Sequence, residues 1–145
     1  MKNDTVLFGG WINRISRYRR TFAGRMLEPY GVTGCQFSYL LALSRQSGMS
    51  QEEISDMLKI DKTSTAKAVK KLEEDGFVTR RTDTSDKRTN RVFLTQKGLD
   101  VIPHILDTMK KWDEAVLADI SEEEYDLMER LLSRMADSAG NLLNP

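Results

Sequence analysis

The run Asp86-Lys87-Arg88-Thr89-Asn90-Arg91-Val92-Phe93-Leu94-Thr95-Gln96-Lys97-Gly98 constrains the fold more than any other part of this chain. A charged, turn-rich tip passes directly into a short segment of β-branched and aromatic residues, and from there into a helix start. Phe77–Arg81 and Arg91–Thr95 read as the two strands of a hairpin, with residues 82–90 as a long loop between them. Two short helical patterns precede the hairpin, the second rich in Thr, Ser and Lys. Helix, helix, strand, basic loop, strand is the order of a winged helix-turn-helix, and it points to nucleic acid.

Helix starts are written in the sequence as capping boxes, in which a hydroxyl and a carboxylate or amide three residues on satisfy each other's backbone donors. Thr33-Gly34-Cys35-Gln36 has the T-x-x-Q form and predicts a helix to about Ser47 carrying Phe37, Leu40, Leu41 and Leu43. Ser50-Gln51-Glu52-Glu53 opens a short helix carrying Ile54, Met57 and Leu58. Asp61 caps the next, which Gly76 stops, with Ala66, Val69 and Leu72 packing inward. Turning about 100° per residue from those positions puts Thr63, Ser64, Lys67 and Lys71 on the outward face.

Longer helices flank this block. The first, from Val6 to Leu27, carries Val6, Leu7, Phe8, Trp11, Ile12, Ile15, Tyr18, Phe22, Met26 and Leu27, mostly three or four apart, until Glu28-Pro29-Tyr30-Gly31 breaks it. After the hairpin, Thr95 caps a helix carrying Leu99, Val101, Ile102, Ile105, Leu106, Met109, Trp112, Val116 and Leu117, which Gly98 and Pro103 should weaken or bend. Ser121-Glu122-Glu123-Glu124 is a further S-x-x-E box, opening a last helix with Tyr125, Leu127, Met128, Leu131, Leu132 and Met135 that frays after Ala139-Gly140. The fold class is mainly α with a small β-hairpin. Apolar stripes this broad at both ends of the chain exceed what a small winged domain can cover, so they call for dimerisation or, alternatively, for packing on one another.

Charge supports a division of labour. The formal net charge is zero, yet residues 59–91 hold ten Lys/Arg against six Asp/Glu, while residues 107–137 hold four against ten. A basic middle beside an acidic C-terminal segment suits a DNA-facing module joined to one with other work, although solvated helix faces alone could produce it. A helix entering the major groove needs small polar groups and cations near its N-terminal half, as at Thr63, Ser64 and Lys67. Lys62 and Lys71 suit phosphates. Lys87, Arg88 and Arg91 cluster where a wing meets the adjacent minor groove, with Asp86 placed to hold Arg88 extended through an ion pair.

These residues carry a family likeness. The D-x-R-x-x-x-V-x-L-T-x-x-G string from Asp86 to Gly98, after Leu58–Ser64 and Lys70–Val78, closely resembles the MarR family of bacterial and archaeal transcription regulators, over essentially the whole chain. The resemblance implies a winged helix-turn-helix domain at 31–95, with 1–30 and 96–145 supplying dimerisation helices that interlock between subunits. It implies a homodimer on a pseudo-palindromic double-stranded operator, acting as a repressor, while the single Cys35 and the lack of a secretory n-region fit a cytoplasmic location. It also implies release by a small aromatic or phenolic anion, for which Trp11, Arg14, Ile15, Tyr18, Phe37 and Tyr39 are the candidates.

Other chemistries find less support. Cys35 stands in the expected first turn of the second helix, where a helix N-terminus can activate a thiol, although a buried, inert thiol is the ordinary expectation. His104, the only histidine, has no partner for a metal site, and no nucleophile, base and oxyanion set assembles, so no enzyme, cofactor or metal is expected. No apolar run is long enough to span a bilayer. A protein-binding winged module, or a redox sensor working through Cys35, is the alternative function.

Overall fold

The computed structural model describes the backbone of residues 5–143 and side chains from Phe8 onward. The order is α1 (Thr5–Leu27), a 3-10 turn (Glu28–Tyr30), α2 (Phe37–Arg45), β1 (Met49–Ser50), α3 (Gln51–Leu58), α4 (Lys62–Glu74), β2 (Val78–Thr82), β3 (Asn90–Leu94), α5 (Gln96–Val116) and α6 (Glu122–Leu143). The chain divides into two compact units, one up to Trp112 and one from Asp113 onward.

In the first unit the hairpin becomes a three-stranded antiparallel sheet of order β1-β3-β2, with Met49 opposite Val92 and Val78 opposite Leu94. Sequence reading misses β1, because two residues carry no periodicity. Phe77, Val92, Ile54, Val69, Leu72, Leu40, Leu43, Leu27 and Ile105 are completely or almost completely buried in one core drawn from all these elements. Burying each such side chain stabilises the fold by roughly 1.5–3 kcal/mol before ordering costs are set against it.

The Ser50 box forms as expected, with the Glu53 N–H donating to Ser50 Oγ (3.1 Å) and the Ser50 N–H to Glu53 Oε2 (2.8 Å). Asp61 likewise accepts from the Ser64 N–H at 2.8 Å. The T-x-x-Q reading needs correction. Gln36 Oε1 accepts from the Thr33 N–H (2.9 Å), but Thr33–Gln36 is a turn closed by the Gln36 N–H on Thr33 O (3.0 Å), and α2 begins only at Phe37. The Gln36 amide serves twice, its Nε2 also donating to Asp75 Oδ2 at 2.8 Å. Cys35 therefore sits in a turn rather than in α2, and it is exposed rather than buried.

Only part of each apolar stripe is buried. On α3 Met57 is 44% exposed and Ser55 is buried, because the buried arc is centred between Ile54 and Ser55. On α4 Thr65 is buried and Ala66 half-buried, while Val69 and Leu72 are buried as expected. On α5 the face bearing Gly98, Val101, Ile105, Thr108 and Met109 is buried, whereas Leu99, Leu106 and Val116 are exposed. Pro103 lies within α5 without interrupting it. Glu28–Tyr30 closes α1 as a 3-10 turn, after which Gly31 takes φ 72°, a left-handed conformation that favours glycine.

The join between wing and α5 is held by Thr95 and Lys97 on the backbone carbonyls of Asp75, Gly76 and Phe77. The Thr95 N–H donates to Phe77 O (3.0 Å), Thr95 Oγ1 to Gly76 O (2.6 Å) and Lys97 Nζ to Asp75 O (2.7 Å), while the Gly98 N–H donates to Thr95 Oγ1 (3.1 Å). A Cβ at residue 98 would collide with the Phe77 carbonyl oxygen, which is why glycine ends the L-T-x-x-G string.

The second unit contains α6, opened by the Ser121 box with the Ser121 N–H on Glu124 Oε2 (2.9 Å) and the Glu124 N–H on Ser121 Oγ (3.2 Å). The helix runs on to Leu143 instead of fraying at Ala139-Gly140, since one helical glycine costs only about 1 kcal/mol. None of its residues is buried. Tyr125, Leu127, Leu131 and Leu132 are 41–47% exposed. On α1, Phe8, Trp11, Ile12, Ile15 and Tyr18 are 43–59% exposed. The side chains of Val6 and Leu7 lie outside the described residues.

Candidate nucleic-acid interface

α3 and α4 are joined by a short turn in which Lys59 adopts φ 54° and the Ile60 N–H returns to Ser55 O at 3.1 Å. A side chain in this left-handed region costs roughly 1 kcal/mol, which the packing of both helices offsets. The turn fixes where α4 starts, and Thr63, Ser64, Lys67 and Lys71 all point to solvent on it. Lys62 pairs with Glu52 at 2.8 Å, and Lys71 with Asp75 at 2.8 Å, so each lysine is held above its ordinary pKa by its carboxylate. Lys67 makes no ion pair among the described residues. Asp61 is pulled below the usual carboxylate range by the N–H of Ser64 that it caps.

The wing tip is ordered by two carboxylates. Asp83 Oδ1 accepts from the N–H and hydroxyl of Ser85 (2.8 and 2.7 Å), and Asp86 Oδ1 accepts from the Arg88 N–H (3.0 Å) while Oδ2 accepts from Thr89 Oγ1 (3.1 Å). Asp86 thus supports Arg88 through its backbone, not through the ion pair expected from sequence. The guanidinium of Arg88 and the ammonium of Lys87 are exposed and without an ion-pair partner among the described residues. Arg91 differs. Expected among the free wing cations, it instead donates to Asp83 Oδ2 (2.7 Å), Glu53 Oε2 (2.7 Å) and Gly48 O (3.3 Å).

Two cations escaped the sequence reading. Arg80 is locked to Glu73 at 2.7 Å, and Arg81 lies exposed with its guanidinium 4.9 Å from the centre of the Phe93 ring. Alternation along β2 could have separated them, because successive strand residues face opposite sides of the sheet.

The proposed effector residues do not converge. A cleft of about 750 Å³ is lined by Arg19, Arg20, Cys35, Phe37, Tyr39 and Lys71 among others. Of the six candidates it includes Phe37 and Tyr39 alone. Trp11, Arg14, Ile15 and Tyr18 lie apart on the exposed face of α1, where Arg14 stacks 4.7 Å from the Trp11 ring centre. Burial pushes the Tyr39 phenol up. Arg19 and Arg20 were missed because arginines recur along α1 and spacing alone does not single them out. Among the described residues no cluster of three or more His, Cys, Asp or Glu could hold a metal ion.

Comparison with known proteins places this geometry. A sequence model of the MarR family matches residues 32–89. The HTH-type transcriptional regulator YwoH of Bacillus subtilis is 33% identical over 120 residues, covering 83% of this chain and 87% of the relative. A MarR transcriptional regulator from Methanosarcina mazei is 34% identical, with TM-score 0.86 over 95% of this chain and 99% of that structure. A Staphylococcus aureus MepR–DNA complex shares the fold at TM-score 0.85 and 23% identity, covering 91% of this chain and 97% of that one.

Proposed function

The chain belongs to the MarR family of transcriptional regulators, and from that membership we propose that it is a sequence-specific DNA-binding repressor. It works in the cytoplasm as a homodimer on a pseudo-palindromic operator. Residues 31–95 form the reading module, and 1–30 with 96–145 supply the dimer helices, whose exposed apolar faces a second copy covers. Among the described residues no helix is long and apolar enough to cross a membrane.

The observation that carries this reading is the pairing of an exposed Thr63, Ser64 and Lys67 face with a wing tip whose Arg88 cation is free and whose backbone is held in place. The reading helix meets base edges in the major groove, with Lys62 and Lys71 exchanging their carboxylate partners for phosphates, and Arg88 enters the adjacent minor groove beside Lys87. In the cleft, the Phe37 and Tyr39 rings with Arg19 and Arg20 suit a small aromatic anion, whose binding lowers operator affinity.

Genomic fragments captured by the wild-type protein supply the test duplex. Fluorescence anisotropy should show affinity falling steeply with salt, and Arg88→Ala should weaken it by about 1–3 kcal/mol. Salt-independent binding, or an unchanged affinity in the variant, sinks the assignment. The exposure of Cys35 within the cleft favours one second reading, control by thiol oxidation. Peroxide treatment that leaves wild-type DNA affinity unchanged removes it.

A further inference from the structure

Arg91 stands directly across from Arg81 in the β2–β3 ladder, and two like charges in that register repel. The structure resolves the conflict by giving Arg91 two carboxylates from distant parts of the chain. Asp83 lies at the root of the wing loop, and Glu53 is the third residue of α3. Glu53 Oε2 serves twice, accepting from the Ser50 N–H that closes the capping box and from Arg91 Nη1. Asp83 also serves twice, accepting from Arg91 Nε with Oδ2 and from Ser85 with Oδ1. Asp83 Oδ1 further reaches the Asp86 N–H at 3.3 Å, and Asp86 in turn holds the Arg88 N–H.

A continuous run of polar contacts therefore leads from the N-terminus of α3 to the wing tip: Glu53, Arg91, Asp83, Asp86, Arg88. We infer that Glu53 and Arg91 are positioning residues for DNA recognition, setting the angle at which the wing presents Arg88 relative to the helix-turn-helix. Neither needs to touch DNA. Charge-assisted bonds at 2.7 Å are about twice as strong as neutral ones, so this staple adds a charged tie between α3 and the wing root to the apolar packing of Ile54 and Val92 in the shared core. Wing cations are thereby divided: Arg88 contacts, Arg91 aims. The inference rests on the DNA-binding reading above.

Glu53→Gln tests it, because glutamine preserves the capping box while removing the charge opposite Arg91. On the captured duplex at fixed salt and at a temperature where circular dichroism shows the variant folded, Glu53→Gln should weaken binding roughly three- to tenfold, a loss larger than any accompanying drop in stability explains. Glu53→Gln/Arg88→Ala should bind no more than about twofold more weakly than Arg88→Ala alone, because the aim of an absent cation has no effect. Losses that multiply in the double variant overturn the inference while leaving the DNA-binding reading intact. Failure of wild type to bind in a salt-dependent way overturns that reading, and this inference with it. Should Glu53→Gln not fold, Asp83→Asn, which keeps an acceptor for Ser85 but weakens the pair with Arg91, is put through the same cycle with the same two outcomes.

Discussion

The winged core and the terminal helices use the same side chains to opposite ends. Leu27, Leu40, Leu43, Ile54, Leu72, Phe77 and Ile105 are at most 1% exposed, whereas Trp11, Ile15, Leu127, Leu131 and Leu132 remain 42–55% exposed. Hydrophobicity does not separate the two sets; the availability of a covering surface does. α5 makes the contrast within a single helix, burying Val101, Ile105 and Met109 on one face and leaving Leu99 and Leu106 exposed on another. One region closes on itself, and the exposed apolar faces of the other are those that the proposed second copy covers.

Breaking the closed region should have the largest effect. Phe77→Ala removes a fully buried ring whose centre lies 4.5 Å from Lys97 Nζ, and is expected to cost about 3–5 kcal/mol in chemical denaturation. A cost below about 1 kcal/mol would mean that the core is not closed there. Next, Leu131→Ala on α6 should leave the fold intact but loosen self-association by about 2 kcal/mol, since two-fold symmetry counts the lost contact twice. Sedimentation equilibrium should then show a dissociation constant raised about 30-fold. An unchanged constant would remove α6 from the interface. The smallest effect compares two copies of one motif. Ser50→Ala is expected to cost about 1–2 kcal/mol in thermal melts, because the box it caps is half-buried and also anchors Arg91. Ser121→Ala should cost about 0.5 kcal/mol, its box being exposed. Equal costs would show that the environment of the cap does not matter.

Much of this arrangement is legible in the sequence, where the information is local. Both S-x-x-E boxes form with their reciprocal bonds, Asp61 caps α4, and the residues turned outward on α4 are exposed. The string from Asp86 to Gly98 carried the family and the winged fold, and Gly98 has its reason in the Phe77 carbonyl. Errors fall where a distant partner intervenes. Gln36 keeps its bond from the Thr33 N–H but also ties the turn before α2 to Asp75, and Arg91 is withdrawn from the free wing cations by Glu53, 38 residues away. β1 exists only because β3 lies beside it. No spacing rule reports such meetings. Trp11, Arg14, Ile15 and Tyr18 share a helix with Arg19 and Arg20, yet only the latter two reach the cleft, because a helix face is chosen by what packs against it.

The loop of residues 83–89 carries a consequence in entropy. Fixing the backbone of one residue costs roughly 1–2 kcal/mol, so a free tip of this length would surrender several kcal/mol on being immobilised by a ligand. Here Asp83 and Asp86 have already taken up the N–H groups of Ser85, Asp86 and Arg88, and the Thr89 N–H closes on Asp86 O at 3.0 Å. Most of that disorder is lost when the protein folds, not when it binds. A partner that grips Arg88 therefore meets a tip with little freedom left to lose, and more of each contact it makes survives as affinity.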